Sequence, residues 1–133
     1  VPGYEVLSAV VAAAKELSTD ELGNRSHVGV IQSKDSFYGE LEPEKMPIAE
    51  SLSDRWESYV RCGCLTSEME AAMLFSVAIA RHVRAGAVLT ALWNVERTRA
   101  GLPDPVCESS ERAIKCAVNA IKILIGEDKK KNV

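Results

Sequence analysis

A chain of 133 residues, 47% hydrophobic and 26% charged, has the length and apolar content of one ordinary globular domain. Its net charge of -3, from 16 Lys+Arg against 19 Asp+Glu, excludes the broadly basic surface that nucleic-acid binding requires. No apolar run reaches the roughly 18–20 residues of a membrane-spanning helix, and the longest, Ala85 to Trp93, is strand-length.

The start, Val1-Pro2-Gly3-Tyr4, has no initiator Met and none of the basic and apolar regions of a secretory signal. Cys62, Cys64, Cys107 and Cys116 are too few for a disulfide scaffold and have no zinc spacing. Reduced thiols in a cytoplasmic protein, without a metal, are the expectation. His27 and His82 stand apart from each other. No phosphate-binding GxxxxGK, GxGxxG, HExxH or GxSxG pattern occurs.

In chain order, Tyr4 to Leu17 places Val6, Leu7, Val10, Val11, Ala14 and Leu17 at helical spacing. Ser18 to Ser26 reads as a loop. His27 to Gln32 alternates and predicts a strand, followed by polar Ser33-Lys34-Asp35-Ser36. Gly39 to Ala49, with Pro43 and Pro47, reads as a surface loop. Leu52 to Val60 predicts a short helix, Cys62 to Thr66 a short extended piece, and Ser67 opens a helix to about Val83. Ala85 to Trp93 resembles a strand buried on both faces. Asn94 to Pro105 reads as a polar loop. Glu108 to Ile125 carries an apolar stripe of Ala113, Ile114, Ala117, Val118, Ile121, Leu124 and Ile125. Gly126 should end this helix and leave Lys129-Lys130-Lys131 as a solvated tail. Helices alternating with strands indicate an α/β domain with a mostly parallel sheet. Two clear strands and one short one are few for such a sheet, so a missing N-terminal half is expected.

Two segments can carry chemistry. Ser67-Glu68-Met69-Glu70 lies at a strand-to-helix junction, where α/β proteins place ligands. A carboxylate there can accept hydrogen bonds from vicinal hydroxyls. The same residues also fit a capping box, with Ser67 and Glu70 as its members. Asp35-Ser36-Phe37-Tyr38-Gly39 puts two aromatics together in a chain only 5% aromatic. One ring can pack on a planar ligand or simply cover the sheet edge.

His27-Val28-Gly29-Val30, Lys34 to Gly39, Ser67-Glu68-Met69-Glu70-Ala71-Ala72 and Arg84-Ala85-Gly86-Ala87-Val88 together resemble the C-terminal half of the hexameric nucleoside phosphorylase family. The Asp-x-Phe-Tyr order ahead of Glu-Met-Glu is closer to its uridine phosphorylase branch. The resemblance runs from about Tyr4 to Ile125 and makes residues 1–133 the C-terminal half of a single domain. It implies an α/β/α sandwich around a mixed sheet.

The resemblance further implies transfer of a pentosyl group from a nucleoside to inorganic phosphate, a co-substrate, with no cofactor. Glu70 would hold the ribose 2′- and 3′-hydroxyls, and Glu68 and Met69 would complete the ribose site. Phe37 would pack on base and sugar. Uridine phosphorylases follow the Phe-Tyr pair with a glutamine and an arginine for uracil. Here Glu40 stands near the first position, Lys45 is the closest cation, and a carboxylate cannot donate to a carbonyl oxygen. Purine enzymes carry a Ser-Asp pair where this chain reads Trp93-Asn94, and an amide is no general acid. Arg97 is either a base-carbonyl donor or a plain loop residue. No phosphate site is present, because the family draws it from the other half and from a neighbouring subunit of a dimer within the hexamer. The alternatives are a purine phosphorylase or nucleosidase of the same fold, or a non-catalytic member that persists as an oligomerisation module.

Overall fold

The computed structural model describes residues 2–17 and 26–131. The loop expected over Ser18 to Ser26 therefore lies almost wholly outside the described residues. Helix α1 spans Tyr4–Leu17, and helix α6 spans Glu111–Lys131. The two pack antiparallel. Arg112 donates to the Leu17 carbonyl at one end (2.7 Å), and Lys131 pairs with Glu5 at the other (2.7 Å). Ala9 and Ala13 of α1 meet Cys116 and Ala120 of α6 in the buried centre. Small side chains bring the two helix axes close together, and Val10, Leu17, Ile123, Leu124 and Val88 close the margins. Gly86 belongs to the same contact: a Cβ there would lie 2.5 Å from the Val6 side chain.

Strands β1 (Ile31–Ser33) and β2 (Thr66–Glu68) form a parallel pair, with Ile31 opposite Thr66 and Ser33 opposite Glu68. The pairing continues one bond beyond each end, Leu65 N to Val30 O (2.9 Å) and Lys34 N to Glu68 O (2.8 Å). The crossover between them contains helix α2 (Phe37–Leu41), a 3-10 turn (Pro43–Lys45) and helix α3 (Ala49–Arg61). Helices α4 (Ala71–Ala80) and α5 (Val95–Arg99) follow β2. This is a mixed helix–sheet arrangement with a small parallel sheet, compatible with an α/β fold. Among the described residues, no helix is long and apolar enough to cross a membrane.

Several expected elements differ. The strand over His27 to Gln32 is ordered as a ladder only from Ile31, and Val28 and Val30 are exposed. The loop over Gly39 to Ala49 contains most of α2, the 3-10 turn and the start of α3. Ser36 makes this possible by accepting from Gly39 N at 3.0 Å, and Pro43 sits at the first position of its turn. The extended piece over Cys62 to Thr66 becomes a strand only at Thr66, so Ser67 lies inside β2 and α4 begins four residues later. Ala85 to Trp93 forms no ladder and no helix. A backbone bond reaches it from Cys107 N to Leu92 O at 2.7 Å. A central strand needs neighbours on both sides, and the described residues place none there. The loop over Asn94 to Pro105 contains α5, because the Asn94 side chain caps it by accepting from Arg97 N (3.0 Å).

Helix α6 runs through Gly126. Glycine costs roughly 1 kcal/mol there, but the last turns are held by Lys131–Glu5 and by Arg84 on Asp128 (3.0 Å). The buried side of α6 is Cys116–Ala120–Ile123–Leu124. Four members of the expected stripe, Ile114, Val118, Ile121 and Ile125, are instead exposed on a second apolar face.

Helices α3 and α4 end in the same way. Gly63 has φ 76°, with Gly63 N bonded to Val60 O and Cys64 N to Tyr59 O, both at 3.0 Å. His82 has φ 54°, with His82 N bonded to Ile79 O (3.1 Å) and Val83 N to Ala78 O (3.0 Å). Both residues occupy the left-handed position of a Schellman motif, which favours glycine. Opposite effects follow from the two residue types. Exchanging exposed His82→Gly should raise stability, and Gly63→Ala should lower it, each by about 1 kcal/mol. Urea-unfolding midpoints at constant slope measure both.

Candidate functional site

The candidate site lies at the carboxyl ends of β1 and β2. Ser33 donates through Oγ to Glu68 Oε1 and accepts from Ala72 N at 3.0 Å. Glu68 Oε2 accepts from Glu70 N (2.7 Å) and Ala71 N (2.6 Å). Three amides at the head of α4 thus find side-chain acceptors. The capping residues are Ser33 and Glu68, rather than the Ser67–Glu70 box that the spacing suggested. Ser67 instead accepts from Lys34 Nζ at 3.0 Å. Burial pushes the Glu68 carboxyl up, but the bonds from Ser33, Ala71 and Glu70 outweigh it and hold the group below the ordinary glutamate value of 4.5.

Glu70 is different. It is exposed, and among the described residues its carboxylate accepts only from the adjacent Met69 N, at 3.2 Å to Oε2. Met69 is exposed beside it. Glu68 therefore builds the turn, while Glu70 presents an open carboxylate above it.

On the β1 side, the Phe37 ring is half-buried. It meets Tyr38 edge-on at 5.4 Å and Trp93 edge-on at 6.2 Å between centroids. Lys34 Nζ lies 5.3 Å from the Phe37 ring centroid. Glu40 is 9% exposed. Its Oε1 accepts from Gln32 Nε2, and its Oε2 forms an ion pair with Lys34 Nζ at 3.3 Å, without hydrogen-bond alignment. Glu40 is thus turned into a buried polar cluster. Lys45 lies on the exposed 3-10 turn and pairs with Glu42 at 2.6 Å, a contact that raises the lysine's pKa. Arg97 donates from Nε to Pro103 O at 2.8 Å, within its own loop.

The structure brings Phe37 and Trp93 together, and Glu68, Met69 and Glu70 together. Lys34 bridges the two groups through its contacts with Phe37, Glu40 and Ser67. Neither Ser33 nor Lys34 stands out by spacing. The available signal is the polar end of β1, where alternation sends Gln32 and Lys34 to one face and Ser33 to the other. Segment 93–99 is anchored from behind. Trp56 donates to Glu96 (2.6 Å), the Arg99 guanidinium lies 5.2 Å over the Trp56 ring, and Arg99 donates to the Glu40 carbonyl (3.1 Å). A cavity of about 410 Å³ between α2, α3 and α5 is lined by Leu41, Leu52, Trp56 and Arg99 among others, but not by Phe37 or Glu70. Among the described residues, no three His, Cys, Asp or Glu side chains gather as a metal site.

No family model matches the chain. Over 96% of its length it is 40% identical to the uridine phosphorylase of Treponema pallidum, of which it covers 48%. The chain is homologous to the nucleoside phosphorylases. It is also 34% identical to the guanosine phosphorylase of Halorubrum lacusprofundi, over 93% of this chain and 48% of that protein. A third relative, the DeoD-type purine nucleoside phosphorylase of Roseobacter denitrificans, is 41% identical over 65% of this chain and 30% of its own length. The chain spans about half the length of the first two relatives.

The capping role of Glu68 carries a pH signature. Because its folded pKa lies below 4.5, the stability it contributes is present above that value and is lost as pH falls through the lower folded value. Glu68→Gln should cost about 1 kcal/mol at neutral pH, the usual worth of a helix cap. The variant should also lose less further stability than the parent between about pH 5 and pH 3. Thermal melts of both proteins across that range test the assignment.

Proposed function

We propose that the chain is the part of a nucleoside phosphorylase domain that holds the ribose and base of a nucleoside, in an enzyme of the uridine phosphorylase type. The observation that carries this reading is the division of labour in Glu68-Met69-Glu70. Glu68 satisfies the amides of the turn, and Glu70 stands open above it. In this reading, residues 1–133 are the C-terminal half of one α/β/α domain. The other half and a neighbouring subunit supply the phosphate site, and the enzyme works as a cytoplasmic hexamer built from dimers.

The chemistry follows from what these groups can do. A phosphate oxygen attacks ribose C1′, the bond from C1′ to the base nitrogen breaks, and its electron pair leaves with the base. The ribosyl centre gains oxocarbenium character on the way. Glu70, anionic and accepting from the 2′- and 3′-hydroxyls, orients the sugar and favours the developing positive charge. Met69 packs on the sugar. Phe37, braced by Trp93, forms an apolar wall for the base.

A pyrimidine is the preferred base. Asn94 is committed to capping α5 and has no acidic proton for a purine nitrogen, whereas uracil leaves as a delocalised anion. Glu40, Lys45 and Arg97 are candidates for its polar edge, and each would have to leave its present partner to read it. The guanosine and purine names among the relatives favour a purine nucleoside as the second reading.

The 133-residue chain should bind uridine in an NMR shift titration and release no uracil from it with phosphate present. Glu70→Gln should weaken uridine about tenfold or more, the worth of a hydrogen bond to a charged group, with an unchanged melting temperature. Unchanged affinity with a lowered melting temperature would mean that Glu70 only supports the helix. Inosine or adenosine binding more tightly than uridine or thymidine would decide for the purine reading.

A further inference from the structure

We propose that Lys34 is a positioning residue for the nucleoside, setting the spacing between the base wall and the ribose carboxylate. The inference rests on the nucleoside reading above and deepens it. Lys34 has a side chain only 11% exposed, at the end of β1. Its ammonium lies 3.3 Å from Glu40 Oε2 and 5.3 Å from the Phe37 ring centroid on the base side. On the ribose side it lies 3.0 Å from Ser67 Oγ, one residue before Glu68. A lysine that only neutralised Glu40 would have no need of Ser67, which belongs to the neighbouring strand, 33 residues away. Lys34 thus reaches from the turn carrying Phe37 to the strand leading into Glu70.

This bridge matters for a ligand whose two halves are joined by one bond. A nucleoside engages the Phe37 wall and the Glu70 carboxylate together only when their separation matches its own. Binding of the second half then benefits from a high effective concentration, which disappears when the spacing drifts. Free base and free ribose each use one side and have no such requirement. Loss of the bridge should therefore weaken the intact nucleoside selectively.

The test compares uridine, uracil and ribose by NMR shift titration against the 133-residue chain. Lys34→Met leaves Glu40 buried without its cation, which is destabilising, so the variant of choice is Lys34→Met with Glu40→Gln. The amide introduced at position 40 can still accept from Gln32, and circular dichroism checks the fold. Measured against Glu40→Gln alone, which carries any effect of position 40 on the base, the double variant should bind uridine about tenfold more weakly, while uracil and ribose each change by less than about twofold. Lys34→Arg, which keeps the cation and its reach, should retain most of the uridine affinity. Unchanged uridine binding in the double variant overturns the proposal. So does a parallel loss for all three ligands, which would mark a general loosening of the fold. A parent chain that binds neither uridine nor inosine overturns the nucleoside reading and this proposal together. Parent binding with an indifferent double variant overturns the role of Lys34 alone.

Discussion

The candidate site depends on one contact, the hydrogen bond from Ser33 to Glu68. The ladder sets these residues opposite each other. Ser33 closes β1, Glu68 closes β2, and together they accept from the first amides of α4. A slip of one residue in register would reverse the faces of one strand against the other. Gln32 or Lys34 would then face Glu68: lysine donates but cannot accept, and glutamine divides donor and acceptor between two atoms of a longer side chain, whereas Ser33 does both from one oxygen. The turn carrying Met69 and Glu70 would lose its acceptors. The same register brings Lys34 to Ser67.

Charge around this contact is arranged by partner rather than by number. Three of the carboxylates near the strand ends, Glu40, Glu68 and Glu70, differ in their partners. Glu40 is enclosed by Gln32 and Lys34, and Glu68 by backbone amides and Ser33. A buried carboxylate without such partners would carry a large desolvation penalty. Glu70 is solvated, avoids that penalty, and beyond its contact with Met69 N keeps its lone pairs for another donor. Three acidic residues thus acquire three roles from their surroundings: interior counter-ion, helix cap and open acceptor.

How much of this was legible in the sequence follows from which interactions are local. Helix α1 has the bounds its periodicity predicts, Tyr4 to Leu17. Helix α6 begins near its predicted start and overruns its predicted end, because Glu5 and Arg84 hold its last turns from distant parts of the chain. Ala85 to Trp93 shows the limit of pattern: a continuous apolar run states that a segment favours burial, not that a neighbouring strand is present. The Glu-Met-Glu motif is visible in the sequence, but which of its two carboxylates caps the turn and which stays exposed is not. The identity of the cap was hidden, since Ser33 lies 35 residues before Glu68 and only the ladder joins them. A capping box read from spacing assumes a helix starting at Ser67, and β2 occupies that place.

The two sides of the candidate site are built differently, and this bears on selectivity. The Glu70 side rests on backbone: amides at 70, 71 and 72 are bonded to Glu68 and Ser33, so the carboxylate at Glu70 emerges from a hydrogen-bonded turn. The Phe37 side rests on side chains. Phe37 is held by Trp93 and Lys34, and Trp93 precedes a five-residue helix tethered by Glu96 and Arg99 to Trp56 and the Glu40 carbonyl. Side-chain tethers of this kind change with single substitutions, whereas a strand-end turn changes only with the fold. Under the proposed nucleoside function, recognition of the sugar would be the demand that the architecture itself meets, and discrimination between bases would fall to the exchangeable contacts around residues 40–45 and 93–99.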